Sequence, residues 1–231
     1  MNKCICIIPL RSNSKRLKNK NVKKINGIPL CIYSINEALK SKIFYRIIIA
    51  SDKKSYFNLI KQYFKKDNNK LDKLEFFLRS KKSSTHNART EIVIQEILKK
   101  NRNNPIVFLI QATSPLLSCK DIIKSKKLIS KYRYDSIFSS FKNNQFIWQN
   151  KSTLKPLNYN FKNRPMKQNF TNNVFVENGA IYAFKARGFM KHKNRLFNKI
   201  GTIVMPEDRS LDIDDLKDFL KAKKMIENKN S

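Results

Sequence analysis

The chain has 231 residues, 41% hydrophobic and 29% charged, which is enough apolar material for one large core and too much for a disordered chain. No run approaches the roughly 20 apolar residues of a membrane span, and the opening MNKCICIIPLRSNSKR has no small-residue cleavage site, so a cytoplasmic protein without a signal peptide is expected. The formal charge is +32, but Lys (38), Asn (27) and Ile (27) are raised together, as A/T-rich codon use would do, so a dedicated nucleic-acid-binding module is the weaker reading.

Residues 3–9 (KCICIIP) read as a buried strand ended by Pro9, and a basic polar loop runs from Leu10 to Asn26. LCIYSINEALKS then has apolar residues at helical spacing. Further apolar strands are read at 45–51, 74–78, 105–110 and 135–141, separated by amphipathic helices at SYFNLIKQYFKK, TEIVIQEILKK and DIIKSKKLISKY. Continuous apolar strands alternating with helices predict a single α/β domain, 1–231, with a mostly parallel sheet covered on both faces. The rhythm breaks over 142–173, rich in Asn, Lys, Pro and aromatics, and a lid or dimerisation arm is expected there. Strands resume at 179–185 and 202–206, and a helix closes the chain from about Asp212 to Glu227. The four cysteines have no metal-ligand spacing and read as reduced, mostly buried thiols.

Ligands of parallel α/β sheets lie beyond the carboxyl ends of the strands, and four unusual segments fall there. LRSNSKRLKNKN offers Arg11, Lys15, Arg16 and Lys20 among small polar residues, a candidate polyphosphate cradle, although it matches neither GxxxxGK[ST] nor GxGxxG. QATSPLL (111–117) is a rigid polar turn at a strand end that could equally cap the next helix. ENGAIY (177–182) alone reads as an Asn-Gly turn. In SLDIDDLKD, Asp212 and Asp214 stand at i and i+2, so an extended backbone would point both carboxylates one way, a donor pair suited to Mg²⁺. The alternative for this segment is an acidic helix start, the role expected of Asp215 and Asp218.

In order and spacing these segments, with NGIPLCIYSI, resemble the CMP-sialic acid synthetase family, the cytidylyltransferases of acylneuraminate and related nonulosonic acids. The resemblance runs nearly end to end. It implies a Rossmann-like three-layer sandwich and a homodimer whose protruding arm would account for 142–173. The implied reaction is Mg²⁺-dependent activation of a nonulosonic acid by CTP, giving CMP-sugar and pyrophosphate for glycan biosynthesis, without nucleic-acid or membrane partners. Kdo and pseudaminic acid cytidylyltransferases are the alternatives within the class.

By the same resemblance Arg11, Ser14, Lys15, Lys20 and Asn21 belong to the nucleotide and phosphate loop. Arg79 and Thr90 hold the cytosine, Gln111 and Asn178 border the sugar, and Asp212 and Asp214 bind the metal. Catalysis would rest on Arg11, Lys20 and Asp212 through positioning and charge neutralisation. The chain departs from the family pattern at His86, Ala112, Leu117, Val176 and Glu177. The last two stand where some sialic-acid enzymes carry Arg-Pro, so another cation, such as Arg164 or Lys167, would have to meet the sugar carboxylate. Trp148 is expected to pack in the arm, against its core or a partner rather than against the sugar.

Overall fold

Strands with no polar side must be covered twice, and this requirement sets the architecture. The computed structural model describes residues 3–12, 14, 16–85, 87–100, 104–150, 152–170 and 174–230. Its strands are β1 (Cys4–Leu10), β2 (Lys24–Ile25), β3 (Ile28–Pro29), β4 (Phe44–Ser51), β5 (Leu74–Leu78), β6 (Ile106–Ile110), β7 (Ser136–Lys142), β8 (Trp148–Asn150), β9 (Leu154–Pro156), β10 (Phe175–Lys185) and β11 (Ile200–Val204). Its helices are α1 (Leu30–Ser41), α2 (Lys54–Tyr63), α3 (Asn68–Leu71), α4 (Lys81–Ser84), α5 (Thr90–Lys99), α6 (Cys119–Lys131), α7 (Ala186–His192) and α8 (Leu216–Asn230).

Seven strands form one sheet in the order β11-β7-β10-β6-β1-β4-β5. Alternation along β1 divides its side chains between the two faces. Cys4, Cys6 and Ile8 pack with Cys31, Ile32 and Ile35 of α1, with Phe57 and Ile60 of α2, and with Ile122 of α6. Ile5 and Ile7 pack with Val93, Ile94 and Ile97 of α5 and Phe189 of α7. The result is the three-layer, mostly parallel α/β sandwich expected from the sequence. Cys4, Cys6 and Cys31 are buried and Cys119 is half-buried, and none of the four is in a disulfide. Among the described residues no helix is long and apolar enough to cross a membrane.

Three local readings are corrected. The strand read at 179–185 begins at Phe175 and runs antiparallel to both β6 and β7, with an irregularity between Glu177 and Tyr182. Apolar content reports burial but not strand direction, which this connection alone decides. The last strand lies at Ile200–Val204 instead of 202–206, because its parallel pairing with β7 starts at Ile200↔Ser136. The closing helix starts at Leu216, leaving Asp212 and Asp214 in extended chain.

Within the aperiodic stretch, the described residues between 142 and 170 are organised by local contacts. β8 and β9 form a small antiparallel hairpin. The Phe146 ring meets those of Tyr159 and Phe170, each at 4.5 Å between centroids, and the Arg164 guanidinium lies 4.5 Å from the same ring.

A third apolar cluster positions the site. Phe219, Ala222 and Ile226 of α8 pack on Leu17 of the first loop, Leu116 of the turn after β6, and Ile213. Burial of Leu17 and Ile213 together binds the front and back of the chain into one corner of the molecule.

Candidate active site

The loop after β1 is shaped by its own polar groups. The Ser12 amide and hydroxyl both donate to the Asp52 carboxylate, at 2.9 and 2.7 Å, fastening the loop to the end of β4. Asn21 is buried and its side-chain amide donates to the Arg11 carbonyl at 2.9 Å, closing the loop on itself. Asn19 takes a left-handed conformation (φ 54), which Asn tolerates better than most residues, and opens a short 3₁₀ turn that carries Lys20.

Across from this loop, the Ile213 amide donates to the Thr113 carbonyl at 2.9 Å, holding 212–214 extended along the turn after β6. Ile213 is buried, whereas Asp212 and Asp214 on either side of it line the cleft. Lys20 joins the two halves. Its Nζ donates to the Ile213 carbonyl at 2.5 Å and lies 3.2 Å from Asp214 Oδ1, while Arg16 meets Asp214 Oδ2 at 3.1 Å. Asp215 and Asp218 reciprocally cap α8: the Asp214 and Asp215 amides donate to the Asp218 carboxylate, and the Asp218 amide donates to that of Asp215.

The cleft so formed has a volume of about 680 Å³. It gathers Arg11, Ser14, Lys20, Asn21, Thr90, Gln111, Asp212 and Asp214, all singled out from the sequence. Lys15 and His86 lie outside the described residues. Thr113, Gly179 and Tyr182 also line it and are not among the site residues read from the sequence, where Thr113 is a candidate helix cap, although each sits within a recognised motif. Gly179 is left-handed (φ 73), and a Cβ there would stand 3.8 Å from Asp212 Oδ2, so the glycine lets β10 turn beside the carboxylate.

Asn178 is not on the cleft wall. It is buried, accepting from Ser139 Oγ at 2.5 Å and donating to Ser210 Oγ at 2.9 Å, and it braces the Gly179 turn from behind. Arg79 is likewise not part of the cleft's lining. It is 5% exposed, one nitrogen donates to the Ser83 carbonyl, and its Nε and second terminal nitrogen have no partner among the described residues. Burial lowers its pKa, and the like charge of Arg11 adds to the effect, which places the two guanidiniums in one electrostatic neighbourhood.

Asp212 remains accessible from the cleft, yet protein crowds it on its other sides. That partial desolvation raises its carboxyl above the usual range, and Asp214 adds to the shift, against hydrogen bonding from Thr113 and attraction to Lys20. Tyr182 donates to Glu177, and burial holds its phenol well above its usual value. No group of three or more His, Cys, Asp or Glu suited to a metal occurs among the described residues. Two carboxylates fit a hard cation that takes its remaining oxygens from a phosphate ligand and water, as Mg²⁺ does.

A family model described as cytidylyltransferase matches residues 5–225. The chain is 32% identical to the N-acylneuraminate cytidylyltransferase of Escherichia coli O18:K1:H7, covering 99% of this chain and 53% of that protein. It therefore spans about half the length of that relative. It is 28% identical to the pseudaminic acid cytidylyltransferase of Campylobacter jejuni, over 96% of this chain and 95% of that one. In fold it is similar to 4-diphosphocytidyl-2C-methyl-D-erythritol synthase of Anaerococcus prevotii, with a TM-score of 0.68 at 10% identity, covering 98% of this chain and 96% of that one.

Proposed function

The chain belongs to the cytidylyltransferase family, of the CMP-sialic acid synthetase type, and from that premise we propose that it activates a nonulosonic acid with CTP, giving CMP-sugar and pyrophosphate. The observation that carries this reading is the meeting of the first loop with the last acidic pair. Lys20 and Asp214, 194 positions apart, are in contact in a cleft that holds both cations for a triphosphate and carboxylates for a metal.

In the proposed reaction the sugar's 2-hydroxyl oxygen attacks the α-phosphorus of CTP in line. The bond to the bridging oxygen breaks, pyrophosphate leaves with the electron pair, and the hydroxyl proton passes to solvent water. Such a transfer needs alignment and charge neutralisation more than covalent help. Arg11, Ser14 and Lys20, which line the cleft, are suited to the triphosphate, and Arg79 to the base. Gln111, Gly179 and Tyr182 form the remaining wall, where the sugar would lie. Asp212 and Asp214 would hold Mg²⁺, which when bound supplies positive charge beside the reacting oxygens. For Asp214 to take that part, its ion pairs with Lys20 and Arg16 must open, and an entering triphosphate offers both cations better partners.

Incubation with CTP, Mg²⁺ and a panel of sialic, legionaminic, pseudaminic and Kdo-type acids is expected to release pyrophosphate and a CMP-sugar with at least one nonulosonic acid. Folded protein that releases none would overturn the assignment. The finer reading includes a homodimer built on the arm, where Trp148, Leu154, Leu157, Phe161 and Met166 are exposed together in 142–173. Sedimentation at micromolar concentration is expected to give twice the chain mass, with Leu157→Asp and Phe161→Asp together giving monomer. A monomeric parent chain would remove the arm from this role.

A further inference from the structure

A second hollow, of about 440 Å³, lies beside the catalytic cleft, lined by Arg11, Arg89, Thr90, Glu91, Lys193 and Arg195 among others. The two spaces share a wall, because Arg11 and Thr90 border both. The hollow holds four cations and one carboxylate, and that carboxylate is engaged. Arg195 Nε donates to Glu91 Oε1 at 2.7 Å, and a terminal nitrogen lies 2.7 Å from the same oxygen. The pair is largely withdrawn from water, with side chains 21% and 15% exposed. The Arg195 guanidinium is also laid over Tyr182, 4.7 Å from the ring centroid, and Tyr182 lines the catalytic cleft. Arg89 and Lys193 are exposed at the rim.

A concave wall with a surplus of positive charge concentrates anions, while its fixed polar groups gain nothing from an apolar occupant. Chemistry restricts what can enter from the cleft. The sugar's own carboxylate is bonded to the carbon that bears the reacting hydroxyl, so it must stay at the Lys20–Asp212 end. Arg11 and Thr90, assigned to the nucleotide, border the hollow on one side; Tyr182, on the wall assigned to the sugar, meets Arg195 on the other, so what passes Tyr182 toward Arg195 is the distal part of the sugar. We infer that this hollow is a substituent subsite, which takes the acyl group or side chain carried by the sugar acid away from its reacting end and selects substituents that terminate in a carboxylate. The inference rests on the nonulosonate reading and deepens it.

The test uses a matched pair built on whichever nonulosonic acid the panel identifies, one N-acetylated and one N-succinylated. The native chain is expected to favour the succinyl compound in kcat/KM by roughly five- to tenfold, the scale of charge contacts at an accessible wall. That preference should shrink as salt is raised. The double variant Arg89→Gln, Lys193→Asn is expected to abolish it through the sugar's KM and not that of CTP. Asn suits position 193 because the residue there is left-handed, with φ 55. Equal use of the two compounds by the native chain would overturn the subsite. So would a preference that survives the double variant, or a change confined to the KM of CTP, which would make the hollow part of the nucleotide site. Failure of every acid in the panel would instead remove the nonulosonate reading, and the subsite with it.

Discussion

Asp212→Asn is expected to lower kcat by about 10²-fold or more, the scale on which charge stabilisation at a transferring phosphoryl group acts. The folded state should be undisturbed. The side chain opens onto the cleft, Asn keeps its shape, and the neighbouring backbone is held by Ile213 and Thr113. In the metal-free protein the variant should unfold at an equal or slightly higher denaturant concentration than the parent. The carboxyl is raised in the folded state, so ionising it weighs against the fold, fully above that raised value and not at all below its ordinary value of about 3.9. Any stability advantage of the variant should therefore be present at neutral pH and disappear on acidification. Turnover within a few fold of the parent would remove Asp212 from the catalytic charge arrangement. Loss of turnover together with loss of stability would make it a structural residue.

Much of this arrangement was legible because burial leaves a plain mark on sequence. The apolar runs at β1, β4 and β6 had to be interior strands, and Asp212–Ile213–Asp214 reads as a polar–apolar–polar alternation that the structure realises with Ile213 buried. What escaped depends on tertiary contacts. The reversed direction of β10 comes from the path through 142–173, where the small aromatic cluster has no period to read. Tyr182 looked like one more apolar strand residue, and only the turn at Gly179 shows that it faces the cleft. Asn178 misleads in the opposite sense. A polar residue in an Asn-Gly turn suggests a ligand contact, yet its side chain is engaged with Ser139 and Ser210. Arg195 carried no motif at all, and its pairing with Glu91 joins segments 104 positions apart.

Arg79→Ala is expected to raise the KM for CTP at least tenfold while leaving that of the sugar acid within twofold. The reason lies in an imbalance inside the protein. A guanidinium has five N–H donors and is seldom buried without acceptors, yet Arg79 is buried with its Nε and one terminal nitrogen unpartnered among the described residues. Each such group left unsatisfied costs the fold about 1–3 kcal/mol, and its proximity to Arg11 adds repulsion. A cytosine carbonyl is the kind of acceptor that would relieve both unpartnered donors. In the empty protein the removal relieves the unpartnered donors but gives up the Ser83 hydrogen bond, the attraction of Asp52 and Glu96 and some packing, so stability should change little. The removal should also cut the extra thermal stability that CTP confers on the parent. Arg79→Lys separates charge from geometry: it keeps the cation but loses the planar fork, and should resemble the alanine variant in KM. An unchanged KM for CTP in both variants would show that these donors face no base, and the arginine would then be a buried support for the segment around Ser83.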